Sequence, residues 1–202
     1  MQASELKFDT DGLVACVVQD WNSGEVLTLA YMNADALALT QETGEMHFFS
    51  RSRQELWHKG SSSGNVQQLK ALRYDCDADA LVALVDTGGR PACHTGERTC
   101  FYRGDLTPQA PFEVLPELER TIAARRAETP DGSYTAALLA NPRLIGEKVE
   151  EEAEEVARAA REETDERVAN EAADVLYHLS VLLASRSLTL ADAGRVLDER
   201  RR

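Results

Sequence analysis

The stretch Arg103-Gly-Asp-Leu-Thr-Pro-Gln-Ala-Pro-Phe-Glu-Val-Leu-Pro116 carries three prolines and little periodicity, and it divides two unlike halves. Proline fixes its own φ and disfavours helix in the residue before it, so the run reads as a linker over 106–116. Before it, the apolar runs 13–18, 25–31, 46–49 and 81–85 have the length and composition of strands. Asn22-Ser-Gly24 between the first two is a hairpin signal. Asn33 followed by Ala-Asp-Ala-Leu-Ala-Leu-Thr40 predicts a capped helix ending near Thr43-Gly44. Beyond the linker, Ala, Leu, Glu and Arg recur at helical spacing over 117–127, 144–161, 166–185 and 190–201. The expected architecture is therefore a β-rich α+β domain over 1–105 and an all-α domain over 117–202.

At 202 residues, with 43% hydrophobic and 28% charged side chains, each half is large enough to bury a core of its own. No apolar run approaches the roughly 18 residues of a membrane span. The first ten residues lack a basic segment followed by an apolar one, so a cytoplasmic protein is expected. Its cysteines then serve as thiols, with Cys16 in Leu13-Val-Ala-Cys-Val-Val18 a core residue. A net charge of −13 opposes nonspecific nucleic-acid binding but not a polyanionic small molecule bound through metal ions.

The chemistry concentrates in Asp75-Cys76-Asp77-Ala78-Asp79 and Cys93-His94-Thr95-Gly96 with Cys100. Cys76, Cys93 and Cys100 supply three soft thiolates, a zinc site with one position open. Asp75, Asp77 and Asp79 supply the hard oxygens that hold magnesium. If 75–79 enters the strand that follows, the aspartates share one face and Cys76 takes the other. One subunit then cannot easily use both at one site, and a homodimer in which Cys76 completes its partner's zinc site resolves the conflict. The competing reading makes Cys76 a small buried hydrophobe and the acids a solvated strand start.

In the second half, the segment Val168-Ala-Asn-Glu-Ala-Ala-Asp-Val-Leu-Tyr-His-Leu-Ser-Val-Leu-Leu183 is apolar almost all round, which predicts a buried helix. Glu171 and Asp174 on it are costly without a partner. The preceding helix holds Glu147-Lys-Val-Glu-Glu-Glu-Ala-Glu-Glu155, six acids offset only by Lys148. Glu152 and Glu155, at i,i+3, share a face that can oppose Glu171 and Asp174, and four such carboxylates make a magnesium site suited to a triphosphate. Glu150 and Glu154 fit a solvated face, with Glu154 pairing Arg158.

These residues resemble the bifunctional histidine-biosynthesis family in which a phosphoribosyl-AMP cyclohydrolase is fused to a phosphoribosyl-ATP pyrophosphohydrolase. The first half carries Leu29-Ala-Tyr-Met-Asn33, His47-Phe-Phe-Ser-Arg-Ser-Arg53, Leu56-Trp-His-Lys-Gly60, Ser63-Gly-Asn65 and the Asp and Cys motifs. The second carries Ser133-Tyr-Thr135, Lys148-Val149, Glu151-Glu-Ala-Glu-Glu155 and Asn170-Glu-Ala-Ala-Asp-Val-Leu-Tyr-His-Leu179, a pattern similar to the helical MazG-like pyrophosphatases. Two departures stand out: Ser61-Ser62 where Glu-Thr is usual, and Glu150 where Gly is common.

The resemblance implies two reactions in order: phosphoribosyl-ATP to phosphoribosyl-AMP and pyrophosphate, then hydrolysis of the N1–C6 bond of the adenine ring. It implies zinc at the thiols and magnesium at both acidic clusters. His94 becomes a proton shuttle or a residue that supports the zinc ligands. Arg51, Arg53 and Lys59 become phosphate contacts or plain surface cations, and Trp57 stacks on a base or packs. Glu151 orients water or a metal ligand, and Lys148 and Arg143 are further phosphate candidates. Two other functions remain open: cleanup of noncanonical nucleoside triphosphates beside another purine hydrolase, and a metal- or nucleotide-responsive binding module.

Overall fold

The computed structural model describes the chain except for Leu106, Pro108, Gln109 and Arg202. It forms two compact units, Met1–Gln109 and Ala110–Arg202. In the first, β1 (Val14–Asp20), β2 (Val26–Met32), β5 (Gln68–Tyr74) and β6 (Ala80–Asp86) make a sheet in the order β2-β1-β6-β5, and β3 (His47–Ser50) pairs with β4 (Glu55–His58). β1 runs parallel to β6 and antiparallel to β2, while β5 and β6 are antiparallel. A parallel pair needs a crossover, and β2, α1 (Ala34–Thr43), the β3–β4 hairpin and β5 lie within it.

Alternation along β1 sends Val14, Cys16 and Val18 into a core with Leu27, Met32, Leu37, Phe48 and Val85. Burial pushes the Cys16 thiol up to about 12, so it is a packing residue and not a nucleophile or ligand. Asn33 caps α1 by accepting the Ala36 N–H at 2.8 Å, and Gly44, at φ 71°, ends it in the left-handed conformation. β4 and β5 were not expected. Leu69-Lys-Ala-Leu-Arg73 has a helix-forming composition, and cross-strand pairing with β6 overrides it.

One strand expectation fails. Residues 75–79 do not enter β6; they are the turn between β5 and β6, and the strand begins at Ala80. Asp75 accepts the N–H groups of Asp79 at 3.0 Å and Ala80 at 3.2 Å, and Ala78 takes φ 65°. A side chain that captures backbone donors in this way offers an alternative to the strand ladder. The alternation that placed the aspartates and Cys76 on opposite faces therefore does not apply.

The second unit is all helical: α2 (Pro111–Glu128), α3 (Tyr134–Leu139), α4 (Pro142–Glu162), α5 (Asp165–Ser185) and α6 (Leu190–Arg200). Residues 111–116, read as linker, form the first turns of α2; the rest of that reading touches residues outside those described. Pro111 sits in the first turn, where no N–H is needed, and Pro116 removes only one backbone bond. Ile122, Leu138, Ile145 and Val181 form a small core. α5 packs along α4 but is not buried all round, since Asn170, Ala173, Asp174 and Leu176 are exposed. Among the described residues no helix is long and apolar enough to cross a membrane.

Candidate active sites

In the first unit the chain leaves β6 and folds back on itself: the Ala92 N–H donates to the Arg98 carbonyl at 3.2 Å and the Cys93 N–H to the Glu97 carbonyl at 3.1 Å. Cys100 then docks on β2, its N–H on the Leu27 carbonyl at 2.8 Å. The Thr95 hydroxyl donates to Cys93 Sγ at 3.0 Å, and this bond comes first among the causes that lower the Cys93 pKa. Desolvation at the wall it occupies raises Cys100 instead. Lys59 is only 6% exposed; burial lowers its pKa, while the thiols of Cys100 and Cys93 act in the opposite sense. Of the two readings open for Lys59, phosphate contact or plain surface cation, its burial removes the second. His94 Nδ1 lies 3.9 Å from Cys93 Sγ.

Cys100, His94, Lys59, Trp57, Arg53 and Tyr31 are among the residues lining a cleft of about 600 Å³. That volume accommodates a nucleotide-sized ligand. Trp57 packs on Phe48 with ring centroids 5.7 Å apart and also faces the cleft. Arg53 is paired with Glu55 at 2.8 Å, and Arg51 lies 3.7 Å over the Tyr31 ring. Gly60, at φ 90°, brings its backbone so close to Asn65 and Val66 that a Cβ would sit 2.4 Å from the Val66 nitrogen. Glycine is thus required directly after Lys59.

Cys76 is exposed on the β5–β6 turn, not packed in the core. Among the described residues it does not join Cys93 and Cys100 in a group of three donors. Asp75, Asp77 and Asp79, all exposed, do gather, with carboxylate oxygens within 4.8 Å of one another. Repulsion from Asp77 and then Asp75 raises the Asp79 pKa.

In the second unit the oxygens of Glu152, Glu155 and Glu171 lie within 4.8 Å of one another. Glu171 is 3% exposed and Glu152 9%. Arg167 pairs with Glu171, and Arg158 approaches Glu155 at 3.5 Å, in place of the expected Glu154 pair. Asp174 stands apart from the group and is exposed. Glu151 is exposed and bonded to Lys148 at 2.7 Å, a bond that raises the Lys148 pKa. Arg143 is spent on Glu147 at 2.8 Å.

Sequence reasoning passed over Thr95, Tyr134 and His178 as members of these sites. His178 Nδ1 bonds the Asp174 carbonyl at 2.9 Å and lies 3.7 Å from Glu152, and its Nε2 meets the Tyr134 hydroxyl at 3.2 Å. A polar residue directly flanking a ligand motif, as Thr95 does, was the available signal.

The family model described as Phosphoribosyl-AMP cyclohydrolase matches residues 28–102, and the one described as Phosphoribosyl-ATP pyrophosphohydrolase matches 115–201. Proteins named "Histidine biosynthesis bifunctional protein HisIE" are similar over the whole length. The Bacillus subtilis protein is 52% identical over 98% of this chain and 96% of its own. The Gloeobacter violaceus protein is 49% identical over 97% and 90%, and the Halalkalibacterium halodurans protein 47% identical over 100% and 98%.

The Thr95 contact makes a testable demand. Thr95→Val removes the bond that favours the Cys93 thiolate, so protons compete better with a thiophilic metal. Zinc affinity, measured by competition with a chromogenic chelator, should fall about tenfold near pH 6. The loss should shrink as pH rises and the thiol deprotonates without help. An equal loss at every pH, or none, contradicts the assignment.

Proposed function

Because the chain belongs to the family of bifunctional histidine-biosynthesis hydrolases, we propose that its two units carry successive hydrolyses at separate metal centres. The second unit cleaves phosphoribosyl-ATP to phosphoribosyl-AMP and pyrophosphate; the first opens the adenine ring of that product at N1–C6. The observation that carries the assignment is the contrast between donor sets. The Cys100 thiol lines a nucleotide-sized cleft together with His94, itself 3.9 Å from Cys93, in the unit that resembles the cyclohydrolase, and three glutamates converge in the unit that resembles the pyrophosphohydrolase.

Cys93 and Cys100 fit zinc: they are free thiols, and Thr95 favours the thiolate of one. Cys76 of a second copy completes the set, so the enzyme is a homodimer with a shared zinc site. Support comes from the exposure of Cys76 on the β5–β6 turn, where a second copy can reach it. When bound, zinc supplies a water nucleophile at neutral pH by lowering its pKa to roughly 7. His94 takes the proton from the attacking water and returns it to N1 as the N1–C6 bond breaks. Trp57 stacks on the purine. Arg51 and Arg53 meet the phosphate, with Asp75, Asp77 and Asp79 holding magnesium there. Lys59, being buried beside the thiols, offsets their negative charge.

The second unit is a MazG-like pyrophosphatase. Glu152, Glu155 and Glu171 fit magnesium, because carboxylates this close, two of them buried, need a cation beyond Arg167 and Arg158; Asp174, exposed outside the group, is a fourth ligand only if it turns in. Magnesium, when bound, neutralises the leaving pyrophosphate. Glu151, held by Lys148, orients the water that attacks between the α and β phosphates. A cytoplasmic location is supported by the free thiols and by the biosynthetic role.

Separate centres should fail separately. Cys93→Ser should abolish ring opening of supplied phosphoribosyl-AMP and spare pyrophosphate release. Glu171→Gln should cut pyrophosphate release by roughly a hundredfold and spare ring opening. Equal loss of both activities in either variant points to misfolding and counts against the division.

Sharing of the zinc site has its own test. Cys76→Ser and Cys93→Ser subunits, inactive alone in ring opening, should regain activity when mixed and exchanged, because one interface then carries only wild-type thiols. Verified heterodimers without activity return Cys76 to its own subunit.

A further inference from the structure

Arg98 sits between the two thiols in sequence yet makes its bonds away from the cleft. Its Nη2 lies 2.9 Å from Asp20 Oδ2 and 3.2 Å from Glu25 Oε2, its Nε donates to Glu25 Oε2 at 3.3 Å, and its Nη1 donates to Thr87 Oγ1 at 3.2 Å. Asp20 ends β1, Glu25 precedes β2 and Thr87 follows β6, so one guanidinium ties together the ends of three strands. Both carboxylates are held before the arginine reaches them. Asp20 Oδ1 accepts the N–H groups of Asn22 and Ser23 at 3.0 and 2.9 Å, and the Ser23 hydroxyl donates to Glu25 at 2.8 Å. Asp20 is 4% exposed and Glu25 8%, and acids this buried demand a cation in one place.

We propose that Arg98 is a positioning residue for the zinc centre: by pinning the loop that joins Cys93 to Cys100, it sets the distance and direction between the two thiols. The inference rests on the zinc reading above. The loop needs such a pin, because Cys93 alone among residues 93–100 is buried, so little apolar packing holds it. The Arg98 carbonyl also receives the Ala92 N–H, so a shift of Arg98 moves the turn that carries Cys93. On the other side, Thr99 anchors to the Val26 carbonyl at 2.7 Å, directly before Cys100. The planar fork of arginine matches two carboxylates and a hydroxyl at once; a lysine ammonium does not.

The test measures zinc affinity, not activity alone. Metal-stripped full-length wild type, Arg98→Ala, Arg98→Lys and Cys93→Ser are titrated with zinc against a chromogenic chelator, with circular dichroism and thermal midpoints recorded in parallel. Arg98→Ala should bind zinc about 10- to 100-fold more weakly while folded, and Arg98→Lys should recover only part. Pyrophosphate release, from the other unit, should stay at the wild-type rate. A purely structural arginine would lower the thermal midpoint and leave zinc affinity unchanged in the folded protein, and that result overturns the proposal. Should Arg98→Ala not fold, Glu25→Gln keeps Asp20 as a buried partner and should still weaken zinc several-fold; unchanged affinity there is equally decisive. If wild type binds zinc no better than Cys93→Ser, the zinc reading itself fails, and the role of Arg98 falls with it.

Discussion

Three carboxylates held within 4.8 Å of one another repel, and both units of this chain hold such a group in place against that repulsion. They do so by different means. In the first unit a turn does the work: Asp75 takes two backbone donors, and the hairpin between β5 and β6 closes around it. The acids stay exposed, and water softens the repulsion. In the second unit two packed helices do it: Glu152 and Glu155 on α4 meet Glu171 on α5, where there is little water to help. Arg167 and Arg158 relieve part of the charge.

The thiol centre depends on a different constraint. Pairing β1 parallel to β6 obliges the chain to cross over, and the crossover carries Trp57, Lys59 and Arg53 to the same cleft that the loop after β6 reaches with Cys100 and His94. Residues far apart in sequence thus line one wall. Apolar packing fixes the strands, and the polar bonds of Arg98 and Thr95 fix the thiols upon them.

Much of this was legible where short-range rules govern. The cap at Asn33, the left-handed Gly44 and the β1–β2 hairpin follow from local chemistry, and the β-rich and helical halves follow from periodicity. The meeting of Glu152 and Glu155 with Glu171 follows from i,i+3 spacing on facing helices, while Asp174, expected as the fourth acid, stays exposed outside the group. Long-range pairing decided the rest. β5 has the composition of a helix and is a strand only because β6 lies beside it. Residues 75–79 alternate like a strand, and a single Asp side chain makes them a turn. Arg98 finds Glu25 across 73 positions, and Tyr134 finds His178 across 44, with no pattern to announce either.

In the proposed mechanism, two metal centres of unlike chemistry divide two consecutive hydrolyses between the two units. Wild-type protein given phosphoribosyl-ATP and excess magnesium, with a zinc-selective chelator added, tests it in one vessel by following pyrophosphate and ring-opened product together. Pyrophosphate release should continue while phosphoribosyl-AMP accumulates, and added zinc should then convert the accumulated intermediate. Loss of both products on zinc removal, or undiminished ring opening by zinc-free protein, would contradict the claim.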